Sequence, residues 1–239
     1  MGSLIFDGHD FGELFAYGDP TINILASTVD YAESSSRNGS IVSGRHWGNS
    51  SVSLRLGVHG SALKRRNAFS MLGAWLDVDE PKKLVLPDTP DRYYMAIPDG
   101  GVELTRGIRG EIGTLAFTIT DPIAYGEEKA VTVPSGGSVT FVVGGTHPTL
   151  PRLSGRVTPN STKTWGVRLD EGDFFHIDSA STAAFDLTAD FGKRTSTVNA
   201  ALALPTLSST WFELSPGEHT LRNDVGSGAV TVAYDERWL

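Results

Sequence analysis

The sequence predicts a mainly β chain in two domains, the first β-rich around one helix and the second a β-sandwich or jelly roll. Three observations carry this. Val52, Leu54, Leu56 and Val58 alternate with Ser51, Ser53, Arg55 and Gly57, the period of a strand with one buried face. Phe69, Leu72, Trp75 and Leu76 fall at i, i+3, i+6 and i+7, the one stretch with a convincing helical period. From Val131 onward, short apolar runs are separated by turn residues at roughly 8–12-residue spacing, as in sandwiches and barrels. With 27 Gly and 12 Pro, the punctuation is dense throughout.

In order, Leu4-Ile-Phe-Asp-Gly-His-Asp-Phe-Gly reads as a short strand and a turn. Ile22, Ile24, Ala26, Val29 and Tyr31 read as a further strand. Asn38-Gly39 is the pair that a type I′ turn wants, with polar flanks on both sides, so the hairpin has no core face of its own and projects to dock elsewhere. The strand at 52–58 follows. The helix runs over 62–76 and ends at Asp77, Asp79, Glu80 and Pro81. Lys83–Pro87 and Arg92–Ile97 read as strands, and the apolar positions Val102, Leu104 and Ile108 precede the next one. Leu115, Phe117 and Ile119 alternate, and Asp121-Pro122 stops that strand, because Pro122 has no N–H and pushes Asp121 away from helix. Tyr125 and Gly126 close the turn. This places the domains at 1–126 and 127–239, each of a size to bury its own core without a metal or disulfide.

In the second domain, Val131 and Val133 are expected to form a hairpin with Val139, Phe141 and Val143 across Pro134-Ser-Gly-Gly. Strands are further expected at Leu153–Val157, Trp165–Leu169, Phe174–Ile177 and Thr182–Thr188. The last three are Trp211–Leu214, His219–Arg222 and Ala229–Tyr234, while Ala200–Leu204 reads as strand or loop.

The composition excludes several function classes. Hydrophobic residues at 39% and charged residues at 20% describe a globular chain. A net charge of −8 argues against a phosphate-gripping surface and hence against specific nucleic-acid binding. With no cysteine there is no disulfide and no thiolate metal site. No secretory signal and no membrane insertion are expected. The six histidines show no ligand spacing, and neither a phosphate loop nor a GxSxG elbow is present. Asp77, Asp79 and Glu80 read as the end of a helix or, lacking the register of a calcium loop, as a poor cation site. Asp173, Asp178 and Asp186 are carboxylates that a glycosidase would have to set opposite one another. Trp165 and Trp211 have two readings, core packing or stacking on a sugar.

The order of these pieces resembles the distal tail protein (Dit) family of long-tailed (siphovirus) phages almost from end to end. The opening Leu4–Gly12, the Asn38-Gly39 region and the helix end Trp75-Leu76-Asp77 come first. Arg92-Tyr-Tyr-Met-Ala-Ile and Leu115–Gly126, with its Asp-Pro-x-x-Tyr-Gly, follow. Trp211-Phe-Glu-Leu-Ser-Pro-Gly-Glu-His-Thr-Leu and Tyr234-Asp-Glu-Arg-Trp-Leu close the chain. The resemblance implies a structural virion protein without enzymatic activity, cofactor or metal, made in the bacterial host cytoplasm and placed at the phage tail tip. It implies a hexameric ring built by the first domain, partly through an extended hairpin arm that embraces the neighbouring copy. The arm is assigned to about Tyr31–Ser51, with Tyr31, Arg37, Asn38, Gly39, Ile41, Arg45 and Trp47 as contact residues. The domain junction is Asp121, Pro122, Tyr125 and Gly126. The second domain is implied to be a galectin-like sandwich that points outward and holds adhesion components. Implied partners are further copies of the chain, the major tail tube protein, a tail-tip fibre or tail-associated lysin, and receptor-binding proteins. The alternatives are a carbohydrate-binding adhesion module acting through Trp165 and Trp211, and a glycan hydrolase.

Overall fold

The computed structural model describes residues 3–23, 27–33, 38–106 and 111–239. The chain divides into two compact units, Met1–Tyr125 with Leu239, and Gly126–Trp238. Both are mainly β.

The first unit begins with β1 (Ile5–Phe6) and β2 (His9–Asp10), joined by Asp7 and Gly8, both at positive φ (48° and 81°). That is the two-residue turn that an Asp-Gly pair makes without strain. A 3₁₀ turn at Phe11–Glu13 leads to β3 (Ala16–Tyr17) and β4 (Thr21–Asn23). Next come β5 (Ser27–Glu33), β6 (Ser40–Trp47) and β7 (Ser50–Val58), then α1 (Ala62–Leu76). The unit continues with β8 (Lys82–Leu86), β9 (Thr89–Pro98), β10 (Glu103–Arg106) and β11 (Glu111–Ile119). β7 is its spine: it pairs along its whole length with β11, Ser50 opposite Ile119 and Val58 opposite Glu111. Its other edge carries β3 and β4. β9 and β10 share the far edge of β11, β8 pairs β9, and β1 pairs β8.

The alternation seen in the sequence is the burial pattern of β7: Val52, Leu54, Leu56 and Val58 are buried, as are Leu115, Phe117 and Ile119 opposite them. α1 covers this face with Ala68 and Leu72 buried and Phe69, Trp75 and Leu76 packed beside them. Ser61 caps the helix by accepting from Lys64 N at 3.2 Å, and Asp77 takes the C-terminal position. His9 stacks on Trp75 at 4.8 Å and Phe11 meets its edge at 5.5 Å, pinning the N-terminal hairpin to the helix. Arg65 is held by Glu111 at 3.3 Å and the Gly60 carbonyl at 2.5 Å, so the basic first turn of α1 is partly spent inside the unit.

β12 (Ala124–Val133) crosses from the first unit into the second. Tyr125 and Gly126, expected to close a turn, are therefore part of a strand. The turn is shorter, Asp121–Ile123, with Asp121 Oδ1 accepting from Ile123 N at 3.2 Å. The second unit continues with β13 (Ser138–Val143), β14 (Arg152–Val157), β15 (Thr164–Leu169), β16 (Phe174–Asp178) and β17 (Phe185–Asp190). β18 (Thr195–Val198), β19 (Ala201–Leu202), β20 (Gly217–Val225) and β21 (Val230–Trp238) complete it. One sheet has the order β19-β18-β17-β14-β21-β12 and the other β13-β20-β15-β16. Residues of both sheets build one buried cluster, including Val133, Phe141, Trp165, Phe175, Phe185, Leu221 and Tyr234, which makes this unit a sandwich.

Two sequence expectations fail here. β12 and β13 do not form a hairpin: β12 lies beside β21, while β13 pairs β20 with Phe141 opposite His219. Gly137 N bonds Pro134 O at 3.1 Å, and this turn carries the chain from one sheet to the other. Alternation gives the buried face of each strand and is the same for strands that pair and strands that face each other across a core. Trp211–Leu214 is not a strand either; Leu214 makes a single bridge to Thr149.

Candidate assembly surface

β5 and β6 form a two-stranded sheet of their own, from Ser27 opposite Trp47 to Glu33 opposite Ser40. Neither buried cluster contains a residue of this hairpin. Of the expected Asn38-Gly39 turn, Gly39 has positive φ (87°), while residues 34–37, Arg37 among them, lie outside the described residues. Asn38 flanks β6. The hairpin also begins earlier and ends earlier than the 31–51 read from sequence, because Ser50 and Ser51 already belong to β7.

The register explains which side chains share a face. Asp30 opposes Gly44 and Tyr31 opposes Val42, so Ser43 is the extra residue of a bulge. Opposed residues point the same way. One face therefore holds Val29, Tyr31, Val42, Arg45 and Trp47, and the other holds Asp30, Ala32, Ile41, Gly44 and His46. Without the bulge Val42 would fall on the second face. Tyr31 is 63% exposed, Val42 61% and Trp47 40%, an apolar stripe along the arm. Ile41, 44% exposed, stands on the opposite face. On that face His46 Nδ1 lies 3.5 Å from Asp30 Oδ2, and on the stripe face Arg45 Nη2 donates to Ser27 Oγ at 3.4 Å. A lone two-stranded hairpin is marginal in water, so this one needs a surface to lie on.

The junction residues are tied locally. Tyr125 OH donates to the Asp121 carboxylate, and its ring stacks on Tyr93 at 5.7 Å. Pro122 sits in the turn between them. A Cβ on Gly126 would lie 2.9 Å from the Trp238 indole, so any larger residue there requires that ring to shift.

Burial removes Trp165, though not Trp211, from the sugar-stacking reading. Trp165 is 0% exposed inside the sandwich and offers no ring face to a ligand. Trp211 packs against Phe175 and Phe191 at 4.9 and 5.1 Å, with the core on one side. Of the carboxylates, Asp178 accepts from Thr164 Oγ1 at 2.7 Å and Asp186 pairs with Arg156 at 3.2 Å. Among the described residues no group of His, Asp and Glu could hold a metal ion, and no helix is long and apolar enough to cross a membrane.

Sequence reasoning missed a charged network on the sheet β13-β20-β15-β16. Asp224 accepts from Arg168 Nε and Nη2 at 3.2 and 3.0 Å and from Arg222 Nη2 at 3.2 Å; His176 Nε2 lies 3.0 Å away. The Arg168 fork holds the Asp224 carboxyl below its ordinary range, ahead of the opposing effect of burial. The partners come from three strands, and only Arg222 and Asp224, two residues apart on β20, are close in sequence. The one available signal was that each alternates with core positions of its strand.

Two family models match the chain. That of the phage tail protein RIFT-related domain covers residues 7–120, and that of the siphovirus-type tail component, C-terminal domain, covers 144–238. The chain belongs to the siphovirus distal tail protein family. As a distal tail protein it is a phage tail component, and it shares its fold with the crystal structure of SPP1 Dit (gp 19.1), described as a paradigm of the hub adsorption apparatus in phages that infect Gram-positive bacteria. The TM-score is 0.79 over 99% of both chains, at 18% identity. The phage p2 baseplate in its activated conformation with Sr covers 94% of this chain and 92% of its own, at 15% identity and a TM-score of only 0.45. No curated protein sequence matches the chain.

Proposed function

We propose that this distal tail protein is a non-enzymatic hub: six copies close into a ring at the distal end of the tail. The ring joins the tail tube to the tail-tip fibre or lysin, and the second unit, a galectin-like sandwich, points outward and holds receptor-binding components. Ring closure is a heterologous contact, in which a patch on one copy meets a different patch on the next. The observation that carries this reading is the β5–β6 arm, a hairpin with an exposed apolar stripe that contributes to neither core of its own chain. Such a stripe fits the surface of a neighbour, since exposed apolar patches mark association sites. The net charge of −8 suits a ring through which DNA passes without being gripped.

Light scattering on the purified protein, alone and with its tail partners, tests this. The expected mass is six times the 25.6 kDa chain. A single-copy mass under every assembly condition would overturn the proposal.

A further inference from the structure

The charged network lies on the outer face of the sandwich and bounds a groove of about 460 Å³ lined by Ser138, Arg168, Asp170, Glu171, Thr220 and Arg222. This is within the range of small-ligand sites, ~300–1,000 Å³. Its placement follows from alternation. Val167 and Leu169 face the core, so Arg168 faces out; Leu221 faces the core, so Thr220 and Arg222 face out. The groove's end is the turn after β15, where Asp170 and Glu171 both have positive φ (47° and 59°). Side chains other than Gly seldom adopt that backbone. It is fixed by Asp170 accepting from Thr220 N at 2.7 Å, with His219 Nδ1 at 2.5 Å. Glu171 is left 81% exposed at the rim, 3.5 Å from Arg222, itself 45% exposed.

The charges decide what can bind. Arg168 is forked onto Asp224, and Arg222 is shared between Asp224 and Glu171. A phosphate or sulfate finds no uncommitted guanidinium. A divalent cation finds guanidinium groups among the carboxylates. A neutral ligand meets donors on Arg168 and Arg222, acceptors on Asp170 and Glu171, and the hydroxyls of Ser138 and Thr220. Arg168 is oriented by Asp224, Asp170 by Thr220 N and His219, and the Thr220 hydroxyl by that of Thr140 at 2.9 Å, so these three lose little side-chain freedom on binding. Hydroxyl groups both donate and accept, and a ring of adjacent hydroxyls uses such a mixed array best. We propose that this groove is a binding site for neutral saccharides, distinct from both tryptophans and beyond the hub role.

The test uses the full-length protein on a glycan array carrying neutral and acidic oligosaccharides, followed by calorimetric titration with the best neutral hit. Binding of neutral glycans is expected, weakened about tenfold or more by Glu171→Ala, with the melting temperature unchanged, and by Arg222→Ala. Glu171 is exposed enough that its truncation leaves the sandwich intact. The proposal fails if no neutral glycan binds at millimolar concentration, if only acidic glycans bind, or if both variants bind as the parent does.

Discussion

Replacing Tyr31 and Val42 together by Ser removes two of the three exposed residues of the arm's apolar stripe without touching either core. Tyr31 leaves 63% of its surface in water. For an aromatic side chain of about 200 Å² that is about 125 Å², or about 3 kcal/mol at ~25 cal/mol per Å² if a neighbour covers it fully. Val42, 61% exposed, adds a further ~1–2 kcal/mol on the same scale. The double variant should weaken each contact between copies by about 4–5 kcal/mol, roughly a thousandfold or more in its association constant. The single chain should keep its stability to within about 0.5 kcal/mol, because these are surface positions. A dilution series by mass photometry reads the first quantity and thermal melting the second. If the variant assembles at the same concentration as the parent, the stripe is not a ring contact. If it melts far below the parent, the stripe belongs to the fold rather than to the assembly.

Three further outcomes follow from the packing. Gly166→Ala would place a Cβ 2.0 Å from His176 Cδ2 and 2.6 Å from the Phe175 carbonyl oxygen, so the second unit should lose about 1–3 kcal/mol in denaturant melts. Leu72→Ala, buried under α1, should cost the first unit about 2–5 kcal/mol, read by the same melts with a probe at Trp75. Asp224 titrates below its ordinary 3.8 because Arg168 hydrogen-bonds its charged form, so its contribution is fully present above that value and is lost as pH falls through the folded pKa. Stability of the second unit should therefore fall more steeply below about pH 4 in the parent than in Asp224→Asn, and equal slopes in acid melts would contradict the network.

Much of the fold was legible because one-sided burial writes itself into the sequence. β7 and β11 show it at every second position, and α1 at every third or fourth. What the sequence hid was pairing. Val133 and Phe141 look the same whether their strands share a sheet or face each other, and only the distant β20 and β21 decide between these. The arm was visible as a polar-flanked turn, but its stripe was not, since the bulge at Ser43 moves Val42 to the side of Tyr31 and defeats simple alternation. Trp165 was ambiguous because an indole suits a core and a sugar equally well; its burial decides. The network of Arg168, His176 and Asp224 was invisible for a different reason: its members are far apart in the chain and meet only through strand register.

Photo-crosslinking from position 31 tests the hub most directly. With a benzophenone amino acid replacing Tyr31 in the full-length protein under assembly conditions, irradiation should join each arm to the next copy. A covalent ladder that stops at six chains is the predicted result. Adducts confined to a single chain, or a ladder that runs on without limit, would contradict a closed ring held by reaching arms.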